Sequence, residues 1–130
     1  MKKILIVIAN YYPKISEKLL ETAKSGLSNY DVKIIYAPGI FEIPVIISKH
    51  IDSFEGVIAL GCVIKGETPH FDFISQAFND GIMKISIECK KPIGNGVLTC
   101  LNNDQALARV NKGLEAANAI IQVLNNEFTK

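Results

Sequence analysis

The stretch GVIALGCVIKGETPHFDFIS, residues 56–75, decides how this chain folds. From Gly56 to Ile64 it carries no charge and no alternating polar residue. A strand of that kind is expected to be buried on both faces, as in a parallel sheet covered by helices. Lys65-Gly66-Glu67-Thr68 then breaks the run. Beyond Pro69 the apolar residues return at helical spacing: Phe71, Ile74, Phe78, Ile82, Ile85. A strand, a glycine-bearing loop and a helix make one βα unit. Parallel sheets hold small ligands outside the carboxyl ends of their strands, so this loop is the first place to look for chemistry.

Three further apolar runs fit the same grammar. They are Ile4 to Ala9, Val32 to Ala37 ending at Pro38-Gly39, and Gly96 to Cys100. Between them, Ile15, Leu19, Leu20, Ala23 and Leu27 mark a helix that Asn29 would help stop. Phe41 to Ile51 suits a shorter one. The third helix contains Gly81 and must break before Pro92. From Asp104 to Phe128, Leu107, Val110, Leu114, Ala117, Ile121 and Leu124 make the longest amphipathic pattern, which Asn111 and Gly113 could divide. The alternation predicts an α/β fold with right-handed crossovers and an open, doubly wound parallel sheet. With 130 residues, a single domain over 1–130 is expected.

Composition narrows the function. Hydrophobic residues make up 48% and charged residues 21%, which is globular, and the formal charge is +1. That charge gives no broad grip on nucleic acid. Cys62, Cys89 and Cys100 are odd in number and lack metal-ligand spacing, so they read as reduced thiols of a cytoplasmic protein. MKKILIVIAN has too short an apolar run for a signal peptide, and nothing approaches a membrane span. There is no P-loop, no GxGxxG, no GxSxG and no metal-ligand cluster. A phospho-receiver reading fails because Ala9-Asn10 and Ile64-Lys65 stand where acids are needed.

Each strand end offers a residue with two readings. Gly66 lets a backbone approach an anion at a helix start; equally, the loop is a tight βα turn with Thr68 as cap. His70 falls in the first helical turn, where the helix dipole disfavours an imidazolium. A neutral ring can accept or deliver a proton, and it can also be a surface residue. His50, beside Lys49, reads as solvated. In APGIFEIPVI, Glu42 could complement a helix dipole or accept hydrogen bonds from a polyol. Tyr11 and Tyr12 could stack on a heterocycle or pack on a helix. Arg109, placed mid-helix by periodicity, and Lys112 are each weak signals alone, although an arginine can grip phosphate in bidentate fashion.

Together, APGIFEIPVI and ALGCVIKGETPHFDFIS resemble the lumazine synthase (6,7-dimethyl-8-ribityllumazine synthase) family, and GVLTCLNNDQALARV and NKGLEAANAI extend the match from Ile4 to about Leu124. The resemblance implies a flavodoxin-like three-layer α/β/α fold with a four-stranded parallel sheet and no cofactor or metal. It implies condensation of 5-amino-6-(D-ribitylamino)uracil with 3,4-dihydroxy-2-butanone 4-phosphate in riboflavin biosynthesis. It also implies homopentamers with sites between subunits, in some members closed into an icosahedral shell. Under it Tyr11 stacks on the pyrimidine, and Gly39, Ile40, Phe41 and Glu42 hold the ribityl chain. Cys62, Val63 and Ile64 meet the pyrimidine largely through backbone. Gly66, Glu67 and Thr68 form the phosphate loop, and His70 is the general acid/base. From the adjacent subunit, Arg109 binds phosphate and Lys112 reaches the pyrimidine.

The chain departs from that pattern in three places. Asn95 stands where many relatives place a phenylalanine from the neighbouring subunit over the heterocycle. Only Val110 and Asn111 separate Arg109 from Lys112, where the family usually has several more residues. The first core strand starts the sequence, so the N-terminal extension that relatives often add to a neighbour's sheet is expected to be missing. These changes favour a free pentamer, with Gly81 in a helix around its channel allowing close approach. Two rivals remain: an archaeal-type riboflavin synthase of the same fold, and a non-catalytic shell or flavin-binding protein.

Overall fold

The computed structural model describes residues 1–129. Its strands β1 (Lys3–Ala9), β2 (Asp31–Ala37), β3 (Gly56–Ile64) and β4 (Ile93–Cys100) form one parallel sheet in the order β2-β1-β3-β4. Helices α1 (Pro13–Ser25), α2 (Ile43–His50) and α3 (His70–Cys89) connect successive strands, and α4 (Asn103–Leu107) and α5 (Lys112–Leu124) follow β4. This is the parallel sheet that the apolar runs predict, in the flavodoxin-like α/β/α arrangement that the family resemblance implies.

The unbroken runs have a simple cause. Successive strand residues point to opposite faces, and here both faces are covered. Ile4, Ile6 and Ile8 join Ile58, Leu60 and Cys62 in a core closed by Ile15 and Leu19 of α1 and Ala117 and Ile120 of α5. Leu5, Val7, Val57 and Ala59 face the other way, against Ile43 and Ile47 of α2 and Phe78 and Ile82 of α3. Residues Ile4 to Ile8 are all 0% exposed, so a polar substitution anywhere along β1 would bury an unpaired group.

Burial on both faces fails at β2. It pairs with β1 alone, and Lys33, Ile34 and Tyr36 are exposed. Tyr36 Oη donates to Glu17 Oε1 at 3.2 Å, and Lys33 pairs with Asp31 at 3.7 Å. A short edge strand carrying charge resists pairing with other chains. The opposite edge, β4, begins three residues before its apolar run, because Ile93, Gly94 and Asn95 continue the register with Val57, Ile58 and Ala59.

Helix ends also differ from expectation. α1 stops at Gly26, not Asn29. The helix expected from Phe41 opens as a 3₁₀ turn over Ile40–Glu42 before α2 begins. The long C-terminal pattern does divide, at residues 108–111, so Arg109 lies in a turn and not mid-helix. Gly81 faces inward: a Cβ there would lie 3.0 Å from Pro44. Its small size therefore lets α3 pack on α2 within the chain.

Candidate active site

Three strand ends and the start of α3 enclose an open cleft of about 740 Å³. After β1 the chain turns through Asn10-Tyr11-Tyr12 and enters α1 at Pro13, whose fixed φ suits a first helical position. The Tyr12 carbonyl accepts from Ile15 and Ser16 N–H at 3.0 and 2.9 Å. The buried Ser16 hydroxyl bonds to Asn10 Oδ1 and to the Tyr12 carbonyl, which ties this turn to α1. Tyr11 is 75% exposed, and its ring meets Tyr12 edge to face, centroids 5.0 Å apart. Tyr11 thus remains accessible at the cleft wall.

After β2, Pro38-Gly39 leads into the 3₁₀ turn. Ile40 anchors that turn in the core, while Phe41 is 61% exposed. Gly39 is extended, and a Cβ on it would come 3.1 Å from Glu42 Oε1. The carboxylate therefore lies close over the Gly39 backbone and is only half-buried, accessible to a polar ligand. After β3, Cys62, Val63 and Ile64 form the floor. Burial, and then the neighbouring Cys100, push the Cys62 thiol up to about 12. It stays protonated at neutral pH and supplies shape, not a thiolate nucleophile. Burial, with Tyr11 and Cys62 nearby, also raises the Tyr12 phenol.

His70 is the first residue of α3, exposed, with Pro69 at the N-cap. No side chain caps this helix, so Thr68 does not act as the cap. Tyr11, Gly39, Ile40, Phe41, Glu42, Cys62, Val63, Ile64 and His70 all line the cleft. The sequence reading missed Ile74 as a wall residue, although it stands one helical turn after His70, and it did not commit to Tyr12 or Pro38.

The other expected residues lie outside the cleft. Gly66, Glu67 and Thr68 are exposed in the loop before His70, and nothing lies within 4 Å of where a Gly66 Cβ would be. Asn95 sits within β4, donating to Asn79 Oδ1 at 3.3 Å and accepting from Val97 N–H at 3.0 Å. Arg109 is exposed in the α4–α5 turn, its Nη1 donating to the Gln105 carbonyl at 3.2 Å. Lys112 opens α5. Among the described residues there is no His/Cys/Asp/Glu group fit to hold a metal, and no helix long and apolar enough to cross a membrane.

An aromatic, a half-buried carboxylate, backbone groups at a strand end and an imidazole converge at the carboxyl edge of a parallel sheet. These features define an α/β protein of flavodoxin-like fold with an open cleft where such sheets hold small ligands. The chain belongs to the 6,7-dimethyl-8-ribityllumazine synthase family, whose model matches residues 1–127. It is 38% identical to the 6,7-dimethyl-8-ribityllumazine synthase of Corynebacterium kroppenstedtii, over 92% of this chain and 80% of that one. It is 39% identical to that of Cutibacterium acnes, over 94% and 80%. A solved short-chain flavodoxin associated with a bacterial microcompartment aligns with a TM-score of 0.46 at 14% identity, covering 96% of this chain and 100% of that one. The fold assignment rests on the sheet order itself.

Proposed function

We propose that this chain is a 6,7-dimethyl-8-ribityllumazine synthase, an enzyme of riboflavin biosynthesis. It condenses 5-amino-6-(D-ribitylamino)uracil with 3,4-dihydroxy-2-butanone 4-phosphate, releasing phosphate and water. The observation that carries this is the single cleft in which Tyr11, the Gly39–Glu42 turn, the Cys62–Ile64 strand end and His70 meet. Tyr11 stacks on the pyrimidine, Glu42 accepts hydrogen bonds from ribityl hydroxyls, and the strand end reads the ring edge through its backbone. The family match favours this over a riboflavin synthase.

The chemistry asks little covalent help. The substrate amine is already a nucleophile and attacks the ketone, losing water to form an imine. The carbinol carbon next to the imine gives up its proton as the adjacent C–O bond breaks and phosphate leaves; the resulting enol tautomerises to a new carbonyl, and the ribityl-bearing nitrogen closes the ring on it with loss of water. Holding both substrates in register supplies much of the rate, up to about 7–11 kcal/mol in well-oriented intramolecular cases. His70 moves protons between these steps, a contribution of typically about 10²–10⁴-fold.

The phosphate end is the part this cleft lacks. The Gly66–Thr68 loop supplies backbone donors, and Arg109 of an adjacent copy in a homopentamer supplies the cation, while Lys112 of that copy reaches the pyrimidine. Two features support such an assembly: the separation of those cations from the cleft, and the exposed Phe73, Met83 and Ile87 on one face of α3. The chain acts as one domain, and its free thiols Cys62, Cys89 and Cys100 suit the cytoplasm. The test is a direct two-substrate assay. Lumazine absorbance appearing only with both substrates is expected. Riboflavin from lumazine alone, or no product at all, contradicts the reading.

A further inference from the structure

The turn that carries Arg109 and Lys112 is short, and its shape is held from outside. Lys112 N–H donates to the Arg109 carbonyl at 3.0 Å. That bond closes a turn and keeps the two Cα atoms within about 7 Å. Inside it, the Val110 carbonyl accepts a hydrogen bond from Thr22 Oγ1 of α1 at 2.8 Å. The Thr22 hydroxyl also lies 3.1 Å from the Leu19 carbonyl, the usual partner of a helical threonine. The nearer oxygen is the one across the fold. Gly113 seats on the same turn of α1, where a Cβ would overlap the Leu19 carbonyl oxygen and Thr22 Oγ1. Val110 itself packs against the α1–α5 core. The backbone between the two cations is thus clamped, while Arg109 remains exposed.

We propose that Thr22 is a positioning residue for phosphate recognition: its hydrogen bond to the Val110 carbonyl fixes the α4–α5 turn so that Arg109 meets the ketone's phosphate, while Lys112, at the start of α5, is held separately by the seat of Gly113 on α1. This rests on the reading of Arg109 given above. A loop free to move would lose conformational freedom when it closed on the anion. A turn already held by α1 avoids most of that loss. The two-residue link between the cations then works because the fold fixes it.

Thr22→Val keeps the branched shape and removes the donor. It is expected to raise KM for the phosphorylated ketone, and Ki for inorganic phosphate, about fivefold, with kcat and the pyrimidine KM within about twofold. Thr22→Ser, which keeps the hydroxyl, is expected to restore both constants. Unfolding midpoint and solution mass are measured alongside, and Thr22→Ala carries the same expectation should the valine variant not assemble. Unchanged ketone KM in the Thr22 variants, while Arg109→Ala raises it, overturns the inference alone. A parallel rise in both substrates' KM does the same. An unchanged ketone KM in Arg109→Ala overturns the phosphate reading of the turn, and the inference with it.

Discussion

The cleft lies at strand ends of the sheet and the α4–α5 turn packs on the body of α1, and the two are built on opposite terms. The cleft is walled by three strand ends and a helix start, with Ile40 and Cys62 buried beneath it. The turn presents two cations and gives them no carboxylate: among the described residues the one ion pair is Lys33 with Asp31. Its backbone is anchored by Thr22, but among the described residues the Gln105 carbonyl is the one hydrogen-bond partner of its side chains. Under the proposed function, the first region takes the ring and the polyol, and the second brings Arg109 to the phosphate. Recognition of an uncharged heterocycle depends on shape and stacking, which one chain can supply. Recognition of a phosphate dianion depends on cations that can be brought from elsewhere.

The contrast yields predictions of decreasing size. His70→Ala removes the proton carrier, so kcat should fall about 100-fold while activity stays measurable, because positioning survives. Complete loss of turnover with fold and assembly intact would break the division of labour between the imidazole and the cleft. Next, Arg109→Ala should raise KM for the ketone about tenfold and leave the pyrimidine KM unmoved, since a charge-assisted bond to phosphate positions only that substrate. Tyr11→Ala should do the reverse, raising the pyrimidine KM about fivefold, with Tyr11→Phe near wild type. Steady-state kinetics with each substrate varied in turn separates these two outcomes.

The smallest effect is expected at Cys62. Its thiol is neutral and lends only volume, so Cys62→Ala should keep activity within about twofold, with a stability loss of about 1 kcal/mol. Its titration gives a second check. Above the ordinary thiol value of 9.0 the unfolded chain loses a proton that the folded chain keeps until about 12. Stability should therefore fall as pH rises from about 9 towards 12, and more steeply in wild type than in Cys62→Ala. Parallel melting curves over that range would remove the buried thiol from the account.

Much of this was legible in the chain itself. Apolar runs without alternation gave the four strands, and loops rich in glycine and proline marked the strand ends that wall the cleft. Those signals are local: each depends on a residue and its near neighbours. What escaped was relational. Tyr36 looks like any other strand residue until the sheet order leaves β2 at an edge. Gly81 has the same sequence signature whether it faces a neighbouring copy or Pro44. Asn111 and Gly113 did signal that the last pattern could divide, but Arg109 kept helical periodicity with its neighbours, and its place in the turn shows only in the structure. The hydrogen bond from Thr22 spans 88 residues and leaves no pattern in either segment.

Subunit complementation probes the shared site most directly. His70→Ala and Arg109→Ala chains are co-expressed, purified as mixed assemblies and assayed at limiting ketone. If each site joins one copy's cleft to the next copy's turn, about a quarter of the sites in a random mixture recover both intact residues, and activity should rise well above either parent. If the mixture is no more active than its parents, both residues serve the same chain's site, and the account of a pocket shared between copies is wrong.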